Sequence, residues 1–240
     1  GLMDGRTLDV GAVTNVERIK NPILVARKVL HSPHVLLAGI GAEQFAVAAG
    51  VALCDPAALV TPAQRARWQR GYRDGDDVNI DAEATAGQLV GVALSGTTDL
   101  VDDADRHGTV GAVAVDAEGR VVAGASTGGI AAKHPGRVGD TPLVGCGFYA
   151  EEGLGGVAST GHGEDFIRLL LAKRAVDYLG AGLSAQAAAN AAIGVLSQRL
   201  GGSGGLILLD AAGRVGCARN TAAMSFAYIA EGMSEPIAAV

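Results

Sequence analysis

The sequence predicts an α/β fold in which antiparallel sheets are covered by helices on their outer faces. Two strand pairs, each joined by a short turn, bracket two amphipathic helices in the second half of the chain. Further helical patterns precede them, and glycine is abundant (36 residues) while aromatic residues make up only 4%. Elements of this kind are typically stacked in layers around an apolar core, so we expect an α/β/β/α arrangement.

The first half of the chain predicts helices with recognisable start and stop residues. The pattern is helical from 13 to about 50, where Asn21 is a candidate N-cap and Pro22 occupies a first helical position. A further helix opens at Thr61 with Pro62, and its many glutamine and arginine residues predict an exposed position.

Residues 72–108 mix acidic, glycine and threonine residues with one short apolar run. Long segments without secondary structure are uncommon inside compact domains and are usually functional or disordered. We therefore interpret 72–108 as a flexible linker.

The second half predicts two β-hairpins and two helices. Residues 109–126 form short β-branched and alanine runs about a turn, and "GGLILLDAAGRVGCARN" repeats the design. Residues 163–182 predict one continuous amphipathic helix, and Ser184 is the candidate N-cap of the next. Both hairpin turns read D-x-x-G-R-V, which we attribute to turn chemistry rather than to an internal repeat.

Composition limits the partners that this chain can have. A net charge of −6 without any basic block argues against nucleic acid and anionic membranes, so a small molecule or a protein is favoured. The cysteines Cys54, Cys146 and Cys217 are widely spaced and odd in number, which suits free thiols in the cytoplasm. No apolar run reaches membrane-spanning length, so we expect no membrane partner.

Metal and cofactor motifs are weak in this sequence. The five histidines form no H-E-x-x-H and the cysteines form no C-x-x-C, so we expect no metal site. Two G-x-G-x-x-A matches, at 145–150 and 153–158, lack the helix and the acidic partner of a dinucleotide site. We expect no cofactor.

A serine hydrolase is one alternative. The segment "GASTG" at 124–128 matches G-x-S-x-G around Ser126, and Asp140 and His162 follow in the order of an α/β-hydrolase triad. That motif needs a helix directly after the serine, whereas this chain continues with glycines and a proline. The context disfavours Ser126 as the nucleophile.

Polar residues recur inside glycine-rich segments where strands meet loops, the usual position of site residues. Arg137 offers a planar fork for a carboxylate, and Asp140 offers an acceptor for an ammonium group, so together they could hold an α-amino acid. A local ion pair between the two is equally compatible with their spacing. The other members are Thr109, Ser126, Thr127, Ser159 and Thr160, for which turn and strand-end hydrogen bonding is the alternative.

Several long motifs occur along the chain, namely "MDG", "RIKNPILVARKVL", "SPHVLLAGIGAEQFA", "HGTVGAVAVDAEGRVVAGASTGGIAAKHPGRVGDTPLVGCGFYA", "STGHGE" and "GGSGGLILLD". Together they resemble the plant-type asparaginase/isoaspartyl peptidase family of N-terminal-nucleophile hydrolases. The resemblance covers most of the chain apart from the linker, and implies one domain over 1–240 with a four-layer αββα sandwich.

The resemblance implies a precursor cleaved between Gly108 and Thr109, which leaves an α subunit (1–108) and a β subunit (109–240). The freed α-amine would have an unperturbed pKa of about 7.7–8.0, so it could act as general base for its own hydroxyl. Thr109 would then be both nucleophile and base in the hydrolysis of L-asparagine or β-aspartyl dipeptides.

The family pattern also implies roles for the other site residues. Thr127 would hydrogen-bond the nucleophile, Arg137 would hold the substrate carboxylate, and Asp140 would hold its ammonium group. Thr160 and Gly161 would face the oxyanion. The family further implies a homodimer of αβ units.

Two comparisons within the resemblance refine the expectation. Glycosylasparaginases usually have Asp before the threonine and a different residue at the position of Gly128, so Gly108 and Gly128 favour the asparaginase branch. Family members normally begin with a strand and a glycine-rich loop upstream of "MDG", so we expect an N-terminally truncated chain. An inactive fragment or amino-acid-binding scaffold is therefore a further alternative.

Overall fold

Two β-sheets packed face to face form the centre of the molecule in a computed structural model that describes residues 1–73, 108–130 and 133–240. The first sheet has the strand order β3-β2-β1-β5-β4, and only β2 and β3 pair in parallel. Its strands are β1 (Leu2–Asp4), β2 (Val10–Thr14), β3 (Leu36–Ala38), β4 (Val110–Val115) and β5 (Val121–Ser126).

The second sheet is antiparallel throughout and has the order β6-β7-β8-β9. A separate two-stranded sheet follows it in the chain. The strands are β6 (Phe148–Glu151), β7 (Gly155–Gly161), β8 (Gly204–Asp210), β9 (Val215–Arg219), β10 (Phe226–Tyr228) and β11 (Ile237–Ala239).

Helices cover the outer faces of both sheets. Buried aliphatic residues of α1 and α2 pack with Val13 of the first sheet, and those of α5 and α6 pack with Leu206 and Leu208 of the second. The expected α/β/β/α layering is therefore confirmed. The helices are α1 (Pro22–Leu30), α2 (Gly39–Ala48), α3 (Pro62–Arg73), α4 (Gly163–Leu169), α5 (Leu171–Gly180) and α6 (Ala185–Leu200), with a 3₁₀ turn at Pro56–Leu59.

The layer between the sheets is made of small and medium apolar side chains. Alternation along β5 points Val121 and Ala123 inward, where they meet Phe148 of the facing sheet. Gly156 allows close approach, because a Cβ there would lie 2.9 Å from the Cγ1 atoms of Val113 and Val121. The scarcity of aromatic residues in the sequence agrees with this thin central layer.

Both hairpin turns have the same hydrogen-bond pattern, and both were predicted. In each, the aspartate that opens the turn accepts the side-chain N–H of the arginine four residues later at 2.6 Å. The pairs are Asp116 with Arg120, between β4 and β5, and Asp210 with Arg214, between β8 and β9.

The prediction for 163–182 was wrong in one respect, because the helix is broken. Leu170 has a left-handed backbone (φ 50) and separates α4 from α5. The amphipathic pattern continues across this break, so periodicity alone could not locate it.

Other local predictions had mixed outcomes. Helix α1 begins at Pro22 as expected, although the Asn21 side chain makes no capping hydrogen bond, whereas Ser184 does cap α6. The short strand β3 interrupts the region expected to be helical, and β6 and β7 were not predicted. Most of the 72–108 linker, namely 74–107, lies outside the described residues.

Among residues 1–73, 108–130 and 133–240, no helix is both long and apolar enough to cross a membrane.

Candidate active site

The pairing register of β4 and β5 brings two of the predicted site residues together. Val110 pairs with Ser126 at the end of the hairpin. Thr109 directly precedes Val110, Thr127 directly follows Ser126, and both threonines line one small cavity. Two threonines separated by a turn in the sequence thus come to lie near each other at one end of the first sheet.

A small cavity of about 20 Å³ lies at this end of the sheets. It gathers six of the predicted site residues, contributed by the start of β4, the loop after β5 and the end of β7. The residues that line it are Gly108, Thr109, Thr127, Gly129, Ile130, Arg137, Gly139, Asp140, Thr141 and Gly161. Thr160 directly precedes Gly161 on β7 and is half-buried, but it is not part of this lining.

A larger cavity of about 390 Å³ adjoins the small one and shares part of its wall, including Thr127 and Arg137. Asn15 and Lys133 also line it. The Asn15 amide, at a left-handed position (φ 52), donates to the Gly136 carbonyl at 3.4 Å. Sequence reasoning missed both residues, because Asn15 is remote in the chain and Lys133 is a lone cation in a loop.

Arg137 forms a two-pronged ion pair with Glu164 rather than with Asp140. Its Nε and Nη2 donate to the two carboxylate oxygens of Glu164 at 2.8 and 2.7 Å. The hydrogen bond from Arg137 holds the pKa of Glu164 below its usual range. Among the described residues Arg137 therefore does not form the local ion pair with Asp140 that spacing allowed, and its Nη1 makes no hydrogen bond.

Asp140 is a buried carboxyl group, with only 5% of the residue exposed. Its Oδ2 is buried without a hydrogen-bond partner among the described residues. Burial raises the pKa of Asp140 to about 6, although the nearby Arg137 charge acts in the opposite direction. A buried acceptor without a partner is costly unless something else satisfies it, which an incoming ammonium group would do.

Glycines keep Arg137 and Asp140 tightly enclosed. A Cβ at Gly139 would lie 2.8 Å from Nη1 of Arg137, and one at Gly163 would lie 2.8 Å from Oδ1 of Asp140. Larger residues at these two positions would displace the groups that the cavity presents. This explains the alternation of glycine and polar residues in both segments.

Glu164 is a residue of this arrangement that sequence reasoning missed. It lies in the first turn of α4, 27 residues from Arg137 in the chain. An acidic residue directly after the glycine-rich "STGHG" segment was a possible signal. The signal is weak because acidic residues are common in first helical turns for capping and dipole reasons alone.

The surroundings of Ser159 and Cys146 are those of structural residues. The Ser159 hydroxyl lies 3.2 Å from each of two acceptors, the carbonyls of Cys146 and Gly147, and so ties β7 to the preceding loop. Burial raises the pKa of the Cys146 thiol to about 11, so it stays protonated at neutral pH. Neither residue has the surroundings of a nucleophile.

The surroundings of Ser126 do not match a serine-hydrolase site. Ser126 ends β5, and the residues 127–130 that follow it are not helical. The nucleophile elbow requires a helix there. His162, its proposed base, instead places Nδ1 3.1 Å from Asp165.

Within the described part of the chain, no group of three or more histidine, cysteine or acidic side chains is arranged to hold a metal ion. The polar groups around the small cavity are three threonine side chains, one guanidinium and one buried carboxyl. Such a set can bind a zwitterionic amino acid and supply a hydroxyl nucleophile.

Comparison with known proteins gives one consistent result. The sequence profile of a family described as "Asparaginase" matches residues 1–238. The plant-type L-asparaginase of Pyrococcus horikoshii is 43% identical over 241 residues, which cover 100% of this chain and 74% of that protein. The isoaspartyl peptidase/L-asparaginase of Xenopus laevis is 36% identical over 229 residues, covering 95% and 67%.

Proposed function

Because this chain belongs to the asparaginase family, we propose that it hydrolyses the side-chain amide of L-asparagine, the β-aspartyl bond of isoaspartyl dipeptides, or both. Thr109 is the proposed nucleophile. The observation that carries the proposal is the cavity in which Thr109, Thr127, Arg137 and Asp140 meet. The names of the relatives support both substrates, since some are called asparaginases and others isoaspartyl peptidases as well.

Activation begins with cleavage of the chain before Thr109. The Thr109 hydroxyl attacks the Gly108 carbonyl carbon, the peptide C–N bond breaks, and the acyl group moves to oxygen as an ester. Water then hydrolyses the ester, which leaves a carboxylate on Gly108 and a free amine and hydroxyl on Thr109. Glycine before Thr109 is the least obstructive residue for the distorted backbone that this attack needs.

The mature site then uses one residue as both nucleophile and base. The Thr109 amine takes the proton of its own hydroxyl, whose oxygen attacks the substrate amide carbon. Ammonia or the amine of the leaving residue departs with a proton, and a β-aspartyl ester remains on Thr109. Water hydrolyses this ester to release aspartate and restore the hydroxyl.

The remaining residues orient the substrate and stabilise the developing charge. Arg137 binds the α-carboxylate through its free edge, and Asp140 accepts from the α-ammonium group. Thr127 hydrogen-bonds Thr109, while Thr160 and Gly161 face the oxyanion. The pair of Arg137 and Asp140 favours substrates with a free α-amine and α-carboxylate, which are small amino-acid derivatives.

The proposal also includes the organisation of the mature protein. Residues 1–108 form the α subunit and 109–240 the β subunit of one N-terminal-nucleophile hydrolase domain. A homodimer of αβ units follows from the same resemblance, and the three widely spaced cysteines suit the cytoplasm. Size-exclusion chromatography with light scattering tests the dimer directly.

Thr109→Ala is the principal test. We expect the purified wild-type chain to give two products by mass spectrometry, with a new N-terminus at Thr109, and to release ammonia from L-asparagine. Thr109→Ala is expected to stay uncleaved and to lose activity by at least roughly 10⁴-fold, because no other group supplies the nucleophile.

Ser126→Ala is the matched control, since the residue ends β5 and lines only the larger cavity among those described. It is expected to leave cleavage intact, whereas loss of hydrolysis in this variant alone would favour the serine mechanism. An uncleaved, inactive wild-type chain that still binds L-aspartate would favour the scaffold alternative, and would contradict the proposal.

A further inference from the structure

His162 lies between two carboxylates at the start of α4. Its Nδ1 is 3.1 Å from Oδ2 of Asp165, and its Nε2 is 3.4 Å from Oε2 of Glu164. The ring is about half exposed (47%), so it can exchange protons with solvent. A protonated imidazole can donate to both carboxylates at once, whereas the neutral ring can donate to only one of them.

The Glu164 oxygen that faces His162 is the same oxygen that Arg137 holds. Oε2 of Glu164 accepts from Nη2 of Arg137 at 2.7 Å and lies beside Nε2 of His162 on its other side. The imidazole therefore contacts the guanidinium through one shared carboxylate. Arg137 is only 15% exposed, so charge near it is less screened than at an open surface.

The charged groups around His162 come from α4 and from the loop that faces it. Asp165 and Glu164 belong to α4, and Arg168, one turn later, contacts Asp165 at 3.3 Å. From the facing loop, Arg137 pairs with Glu164 and the Asp140 carboxyl lies within electrostatic reach of both. Apart from Asp140, the ionised side chains of Glu164, Asp165, Arg137 and Arg168 balance, and protonation of His162 adds one positive charge to the cluster.

We propose that His162 is a positioning residue for the carboxylate subsite, acting through Glu164 on Arg137. This rests on the proposed function. The negative charge of Glu164 orients Arg137 but also repels an incoming substrate carboxylate. The His162 imidazolium offsets that repulsion without breaking the two hydrogen bonds between Arg137 and Glu164, so substrate binding is tighter while His162 is protonated.

The test compares His162→Gln with wild type across pH from about 5.5 to about 8. We expect KM for L-asparagine to rise roughly twofold to fivefold in the variant at the acid end, as partly exposed charge interactions allow. The ratio of the two KM values should fall to about one at the alkaline end, with kcat little changed. Titration of Asp140 affects both proteins and cancels in the ratio.

His134→Gln is the control, because His134 is an exposed histidine of the same loop as Arg137 whose Nδ1 contacts the Pro135 carbonyl. Its KM ratio should stay near one at every pH. Calorimetric dissociation constants for L-aspartate should change in the same way as KM: weaker binding by His162→Gln at the acid end only, and binding by His134→Gln equal to that of wild type. If the KM ratio of His162→Gln to wild type does not depend on pH while wild type is active, the role of His162 is refuted and the proposed function is not affected. An inactive wild type would instead contradict the proposed function.

Discussion

At the scale of single residues, the candidate site depends on one carboxyl group held in an unfavourable environment. Asp140 is buried and its Oδ2 has no hydrogen-bond partner among the described residues. Because burial raises its pKa to about 6, the folded chain binds a proton there at pH values where the unfolded chain has released it. Stability therefore decreases as pH rises from about 4 to about 6.

Asp140→Asn separates this stability effect from binding. The variant is expected to lose the pH-dependent destabilisation, which amounts to at most on the order of 3 kcal/mol. It should also lose L-asparagine hydrolysis, since a neutral amide cannot pair with the substrate ammonium group. Urea unfolding at about pH 4 and about pH 8 measures the first effect, and ammonia release measures the second.

Asp9→Asn is the control for this experiment, because Asp9 is an exposed aspartate in the turn between β1 and β2. Its unfolding free energy should follow that of wild type at both pH values. In wild type, kcat/KM should also fall on the acid side with an apparent pKa near 6, as Asp140 becomes protonated. A flat acid limb down to about pH 5 would argue against Asp140 as the ammonium acceptor.

At the scale of elements, the break between α4 and α5 sets the direction of the segment that carries Glu164. Leu170 adopts a left-handed backbone (φ 50), which is unfavourable for a residue with a Cβ. Its side chain is 55% exposed, so packing gives little in return. The position thus stores strain where α4 leaves the site and α5 joins the core.

Leu170→Gly is expected to stabilise the protein by about 1 kcal/mol, because glycine adopts this backbone without steric penalty. Leu24→Gly is the matched control, since Leu24 is similarly exposed but lies inside α1. That change should destabilise by roughly 0.5–1 kcal/mol. Chemical denaturation of the two variants measures both changes in unfolding free energy. If Leu170→Gly destabilises the protein, the backbone at Leu170 is not strained.

At the scale of the whole molecule, the site exists because two sheets approach closely. Thr109 directly precedes β4, the edge strand of the first sheet, and Gly161 ends β7 of the second sheet. Gly156 permits the contact, with no space for a Cβ between the strands. The proposed nucleophile and the proposed oxyanion residue are therefore set relative to each other by the thickness of the central layer.

Gly156→Ala is expected to destabilise the protein by about 1–3 kcal/mol through overpacking. It should also lower kcat/KM, because separating β7 from β4 moves Gly161 away from Thr109. Gly194→Ala is the control, since a Cβ there meets nothing within 4 Å inside α6. It should stabilise by about 0.5–1 kcal/mol. Equal stability of wild type and Gly156→Ala would show that the central layer is looser than described.

Local patterns were sufficient for much of the fold. Both hairpins, helix α1 with Pro22, and helix α6 capped by Ser184 follow from periodicity and turn residues. Strands β6 and β7 were missed because glycines flank β6 and occur within β7, and glycine-rich segments are typical of loops.

The sequence by itself determined the family, the layered α/β class, and the identities of the residues that could perform hydrolysis. These depend on residue order and local periodicity. Only the tertiary structure decided that Arg137 pairs with Glu164, that Asp140 is buried with one oxygen unpartnered, and that the helix breaks at Leu170. The first two depend on groups far apart in the chain, whose charges and volumes interact only after the layers have packed, and the break leaves the amphipathic pattern unchanged.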